Sequence, residues 1–175
     1  VLHDIGWSKE MPPFAKVSRE EFSRVGKRLE STPITLRRAV LARSMQQWDH
    51  PDPTKLLTTT GSDQQLVVRA TVFMEASVDG TWGEVVASHR ELKKIAPTLS
   101  NNELGKALRA TGDGSSVLKS LPEVPFEPIV TGKRMLENGF APGPEMGRII
   151  NRAQAIQDAE GLQDFEALLE RALKE

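Results

Sequence analysis

An apolar stripe at helical spacing, Met146, Ile149, Ile150, Ala153 and Ile156, runs up to Gly161, and a second one follows it, Leu162, Phe165, Leu168, Leu169 and Ala172. Side chains three and four positions apart share one face of a helix, so each stripe needs another helix to cover it. The rest of the chain carries the same demand. Ser18 with Glu21, and Ser100 with Glu103, are capping boxes, in which a hydroxyl and a carboxylate three residues apart satisfy the free N–H groups of a helix start. They predict helices from Ser18 to about Leu29 and from Ser100 to Ala110. Thr35 to Gln47 and Trp82 to Ile95 read as helices between them. Gln64 to Ala76 alternates like a strand through Leu66, Val68, Ala70, Val72 and Met74, while its length and the Asp63 cap suit a buried helix. Its neighbours are helical and no partner strand with turn chemistry is visible, which favours the helix.

Breaks fall at Ser31-Thr32-Pro33, at Asp49-His50-Pro51-Asp52-Pro53, at Pro97, and in the glycine-rich stretch Thr111 to Ser116. Leu121 to Pro128 carries three prolines and reads as an extended connector. The expected organisation is an all-α helical bundle, with a body over 1–120 and a helix-turn-helix tail over 121–175. In the tail a short helix after Thr131 stops at Gly139, the turn Ala141-Pro142-Gly143-Pro144 follows, and a long helix ends at Gly161.

Composition limits the chemistry more than the fold. With no cysteine among 175 residues, disulfides, thiolate zinc sites and cysteine nucleophiles are excluded. No apolar run approaches membrane-spanning length and the N-terminus lacks the features of a signal peptide, so a soluble cytoplasmic protein without a membrane partner is expected. No Met precedes Val1, and the chain is read as continuing upstream of it. Net charge is −1 but unevenly spread: Lys16 to Trp48 holds eight basic residues against three acids, and Ala153 to Glu175 holds six acids against two basic residues. No acid interrupts Ser31 to Trp48. On that helix Leu36, Ala39 and Val40 are expected to face inward, with Arg37, Arg38 and Arg43 toward solvent, where they either meet phosphates or form an ordinary solvated face.

At the start of the chain, Val1-Leu2-His3-Asp4-Ile5-Gly6 delivers a His-Asp pair onto a glycine turn, which presents two metal-ligand side chains together. At the other end, Ile129 to Ile150 combines Thr131-Gly132-Lys133-Arg134, a leucine-to-glycine stop at Leu136 and Gly139, and Pro142-Gly143-Pro144-Glu145-Met146-Gly147. This segment resembles the C-terminal motif of tRNA nucleotidyltransferases and bacterial poly(A) polymerases. Val1 to Trp7 is similar to the Leu-Leu-His-Asp-Ile-Gly-Lys segment that many members carry after the nucleotidyltransferase head. The matches stand in the family's order and cover about a quarter of the chain.

The resemblance implies recognition of a tRNA or another RNA 3′ end by shape and phosphate contacts. Nucleotidyl transfer would then belong to an N-terminal head, whose carboxylates hold Mg²⁺ and which lies outside this sequence. It also implies a degenerate metal site: Trp7 stands where the family has Lys, Phe22 where it has a His, and His50 is the later ligand candidate. His3 and Asp4 are therefore read as a metal-ligand pair reduced to a hydrogen-bonded relic that pins two helices. The alternatives are a free-standing metal-dependent phosphohydrolase, which would need a complete ligand set, and a non-catalytic helical interaction module.

Within the tail motif, Lys133, Arg134, Arg148 and Arg152 stand near a helix N-terminus whose free N–H groups suit phosphate. The plain reading of the glycines is structural: Gly139 a left-handed cap, Pro144 a first helical residue, and Gly147 a site of close helix packing. His89 has no partner in sequence, and a surface or packing role is expected for it.

Overall fold

The computed structural model describes residues 18–47, 61–112 and 114–174; the side chains of Phe22 and of residues 61–63 lie outside that description. The described residues form eight α-helices and two 3-10 helices, with no strand among them. The fold is all-α, as expected from the caps, breaks and stripes.

Helix α1, Arg19–Ser31, starts on Ser18, whose hydroxyl accepts from the Glu21 N–H. A 3-10 turn, Ile34–Leu36, leads into α2, Arg37–Gln46. The ambiguous segment is helix α3, Gly61–Asp79. Its buried positions, Val67, Ala70, Thr71, Phe73, Met74 and Ser77, follow a period of three and four, and Val72 of the apparent alternation is exposed. Helix α4, Trp82–Ile95, and helix α5, Asn101–Thr111, each open with a complete capping box, Thr81 with Glu84 and Ser100 with Glu103. The backbone N–H and hydroxyl of each N-cap hold Glu84 and Glu103 below the ordinary carboxylate value. A second 3-10 helix, Ser115–Lys119, closes the body.

In the body α2 packs on α1, α3 and α5, so it is covered on most sides, and Ala39, Val40, Leu41, Ala42, Ser44 and Met45 are all buried. Buried hydroxyls there bond back to the helix: Ser44 donates to Val40 O, Thr71 to Val67 O and Ser77 to Phe73 O. Each thereby avoids the penalty of an unpaired buried polar group.

The tail comprises α6, Gly132–Glu137, α7, Pro144–Glu160, and α8, Phe165–Lys174. Thr131 caps α6 by accepting from Arg134 N–H, Gly139 takes φ +82, and Gly161 ends α7 in the left-handed region at φ +69. Its core gathers Val130, Met135, Ile149, Ala153, Ile156 and Leu168 around α7 and α8, so the two stripes do cover each other. Gly147 departs from its expected role. A Cβ built there meets no heavy atom within 4 Å, so this glycine is not a close-packing site between helices.

Two structures tie the body to the tail. Helix α7 packs along α4. The connector after Leu121 is extended, as its prolines predict, and is pinned at both ends. Asn101 Nδ2 donates to Leu121 O at 3.1 Å, and Gln157 Nε2 donates to Glu127 O at 3.0 Å while its Oε1 accepts from Ile129 N at 3.1 Å.

Candidate nucleic-acid interface

The basic helix α2 uses much of its charge within the fold. Arg37 donates from Nε to Thr32 O at 3.1 Å and from Nη2 to Glu30 O at 3.5 Å, which satisfies carbonyls at the end of α1. Arg38 is exposed. Arg43 departs from the expectation that it faces solvent. With α2 packed against α3, its side chain is only 17% exposed, and its guanidinium sits 3.6 Å from a Glu75 oxygen and 3.8 Å from an Asp79 oxygen. Arg43 is a link between α2 and α3. Of the three, Arg37 and Arg38 remain on the outer face.

In the tail, Lys133, Arg134, Arg148 and Arg152 are all exposed on the α6–α7 hairpin. Lys133 lies 3.9 Å from Glu137, and Arg148 Nη1 donates to Glu145 at 3.1 Å, each pair one helical turn apart. Exposed pairs of this kind contribute about 0–1 kcal/mol, so a phosphate can displace either carboxylate at little cost. Arg134 is held more firmly. Its Nη1 donates to Ile129 O at 3.3 Å and its guanidinium lies over the Phe165 ring, 4.4 Å from the centroid. That stacking joins α6 to α8 and makes Arg134 a packing residue as well as a surface cation.

Sequence reasoning missed a buried ionic constellation. Arg90 on α4 and Asp158 on α7 are 5% and 6% exposed and form a two-pronged ion pair: Nη1 donates to Oδ1 at 2.7 Å, and Nη2 donates to Oδ2. With its amide oxygen turned to the guanidinium, Gln154 accepts from Nε at 3.1 Å and from Nη2 at 2.9 Å. A guanidinium fork matched to a carboxylate and an amide is the arrangement in which a buried charge is tolerated. The available signal was Arg90 itself, set between buried positions of an amphipathic helix. Its partner, 68 residues away, has no local mark.

Beside it, Lys93 is also buried, donating to Leu99 O at 2.5 Å and reaching Glu123 at 3.2 Å. His89 is 1% exposed, which rules out the surface role. Its Nε2 lies 2.9 Å from Asn101 Oδ1 and its ring is tilted against Phe73, 5.7 Å between centroids. Because Asn101 Nδ2 donates to carbonyls, Oδ1 is the acceptor and His89 the donor. Burial pushes the imidazole below its ordinary 6.5; Asn101 and the Glu123 charge oppose that, and the Lys93 charge adds to it.

His3, Asp4 and His50 lie outside the described residues. Among the described residues no three His, Asp or Glu side chains come together in a way that could hold a metal ion, and no helix is long and apolar enough to cross a membrane. The chain matches no protein-family model, no curated protein and no solved structure.

Proposed function

We propose that this chain is the helical body and tail of a tRNA nucleotidyltransferase or poly(A) polymerase, and that it holds an RNA substrate by its phosphates near the 3′ end. The observation that carries this reading is the Thr131–Arg152 unit. The residues of the motif each do a local job in one hairpin: Thr131 caps, Gly139 turns, and Pro144 starts the long helix. Between them the hairpin exposes Lys133, Arg148 and Arg152 on weakly committed faces. Arg37 and Arg38 at the outer side of α2 add a second basic face. On this reading nucleotidyl transfer and its Mg²⁺ belong to a head domain whose carboxylates are not among the motifs of this chain, and the enzyme works in the cytoplasm.

Binding of a fluorescently labelled tRNA, measured over a range of salt, tests the reading. Lys133→Ala and Arg148→Ala should each weaken binding at unchanged melting temperature. Each should also lower the slope of log K against log salt by up to about 0.7 to 0.9 per lost phosphate contact. Normal affinity and slope in both variants would confine the motif to packing.

A further inference from the structure

The groove between α5 and the second 3-10 helix differs from both basic faces in how its charge is balanced. It has a volume of about 430 Å³ and is lined by Asn102, Gly105, Arg109, Ser115, Ser116 and Lys119, among others. No carboxylate lines it among the described residues, and none of them pairs with Arg109 or Lys119. Arg43, Lys133 and Arg148 each face a glutamate or aspartate; these two cations face a shared space and neutral donors.

Gly105 shapes the floor. It sits inside α5, where glycine is a poor helix former. A Cβ there would lie 3.2 Å from Arg109 Nη1 and 3.2 Å from Leu118 Cδ1. The missing side chain therefore leaves the room in which the guanidinium lies back along the helix, facing the 3-10 segment that carries Ser115, Ser116 and Lys119.

We propose that this groove is a phosphate-binding site, with Arg109 and Lys119 as its cations and the Ser115 and Ser116 hydroxyls and the Asn102 amide as neutral donors. A guanidinium fork, an ammonium and several hydroxyl or amide donors match the multiple acceptor oxygens and the charge of a phosphate. The source of that phosphate, a backbone phosphodiester of bound RNA, rests on the function proposed above; the site itself does not.

The test follows the backbone amides of Ser115 and Ser116 and the Arg109 Nε–H by NMR in the full chain. Inorganic phosphate is titrated at constant ionic strength against chloride. Saturable shifts confined to the groove, lost in an Arg109→Gln/Lys119→Gln double variant of unchanged fold, are expected. The same variant should bind tRNA several-fold more weakly, with a shallower salt dependence by about 0.7 to 0.9 per lost contact. Phosphate-dependent shifts with tRNA affinity unchanged in the variant would keep the site and remove RNA as its ligand. The same shifts in a chain that binds no tRNA would overturn the proposed function and keep the site. Absence of groove shifts together with unchanged tRNA affinity would overturn the site, and would leave the RNA reading to Lys133 and Arg148.

Discussion

The body and the tail obtain their cores in different ways. Tail residues that touch are supplied by consecutive helices joined by short turns, so Met135, Ile149 and Leu168 meet through local geometry. In the body, Leu36, Phe73, Val85 and Leu108 come from four separate helices. Three of its buried side chains are satisfied from other elements, His89 by Asn101, Lys93 by Glu123 and Arg90 by Asp158, while its buried hydroxyls bond within their own helices. The tail core is thus drawn from helices that follow one another, and the body core from helices spread along the chain. Their junction, where α4 meets α7, carries a buried ion pair.

The largest expected effect breaks that junction. Asp158→Ala leaves the Arg90 guanidinium buried with only Gln154 as partner, which should destabilise the protein by about 3–5 kcal/mol in chemical unfolding. Replacing both partners, Arg90→Met with Asp158→Leu, should restore much of the loss, because the desolvation penalty of both charges disappears with them. A single variant within about 1 kcal/mol of the parent would show that body and tail do not depend on this pair.

A smaller effect probes the contact between the second 3-10 helix and α3. Gly114 has φ +97, and a Cβ on it would lie 2.9 Å from the Ser77 carbonyl oxygen at the end of α3. Gly114→Ala should therefore cost about 1–3 kcal/mol, from left-handed strain and from pushing the second 3-10 helix off α3. Unchanged stability would mean that this end of the body yields more freely than its packing suggests.

Smaller still is the response to acid in the body. The folded His89 binds its proton less readily than the unfolded chain, whose ordinary value is 6.5. Its contribution to stability is complete above that value and is lost as pH falls from there through the lower folded value. Melting temperature followed between pH 7.5 and 5 should decline, and His89→Gln, which keeps an N–H donor toward Asn101, should flatten the decline. A parent and variant with parallel profiles would assign the acid response elsewhere.

This contrast explains what the sequence made legible. Caps, stops and stripes are local, so the helix at Trp82–Ile95, the Gly139 and Gly161 turns and the apolar stripes of α7 and α8 could all be read in advance. Periodicity alone left Gln64 to Ala76 undecided between strand and helix, because the alternating positions include both faces of the helix and Val72 points outward. Arg43 misled for a related reason. A cation on an amphipathic helix reads as solvent-facing, but α2 is enclosed, and Glu75 and Asp79 are supplied by a helix across the Asp49–Pro53 break. The Arg90–Asp158 pair and the Arg109–Lys119 groove join positions with no shared local pattern, so only the packed structure brings them together. Of the basic residues singled out in the tail, Lys133 and Arg148 are exposed, whereas Arg134 is shared with Phe165, which no local pattern marks.

The smallest effect separates two helix-interior glycines, one in each region. At Gly105 in the body an added Cβ would press at 3.2 Å on Arg109 and Leu118, whereas at Gly147 in the tail it would meet open space. Helical glycine is disfavoured relative to alanine by roughly 0.5–1 kcal/mol when nothing else changes, since it loses more backbone freedom on folding. Gly147→Ala should therefore stabilise the protein by up to about that amount, raising the melting temperature slightly, while Gly105→Ala should gain less or lose, according to how far Arg109 and Leu118 can give way. Gly147 lies in the first turn of α7, where Pro144 has already fixed the entry, so the gain should be retained with the exposed Arg148 in place. A destabilised Gly147→Ala would mean that the tail packs more tightly there than the open space around this glycine shows.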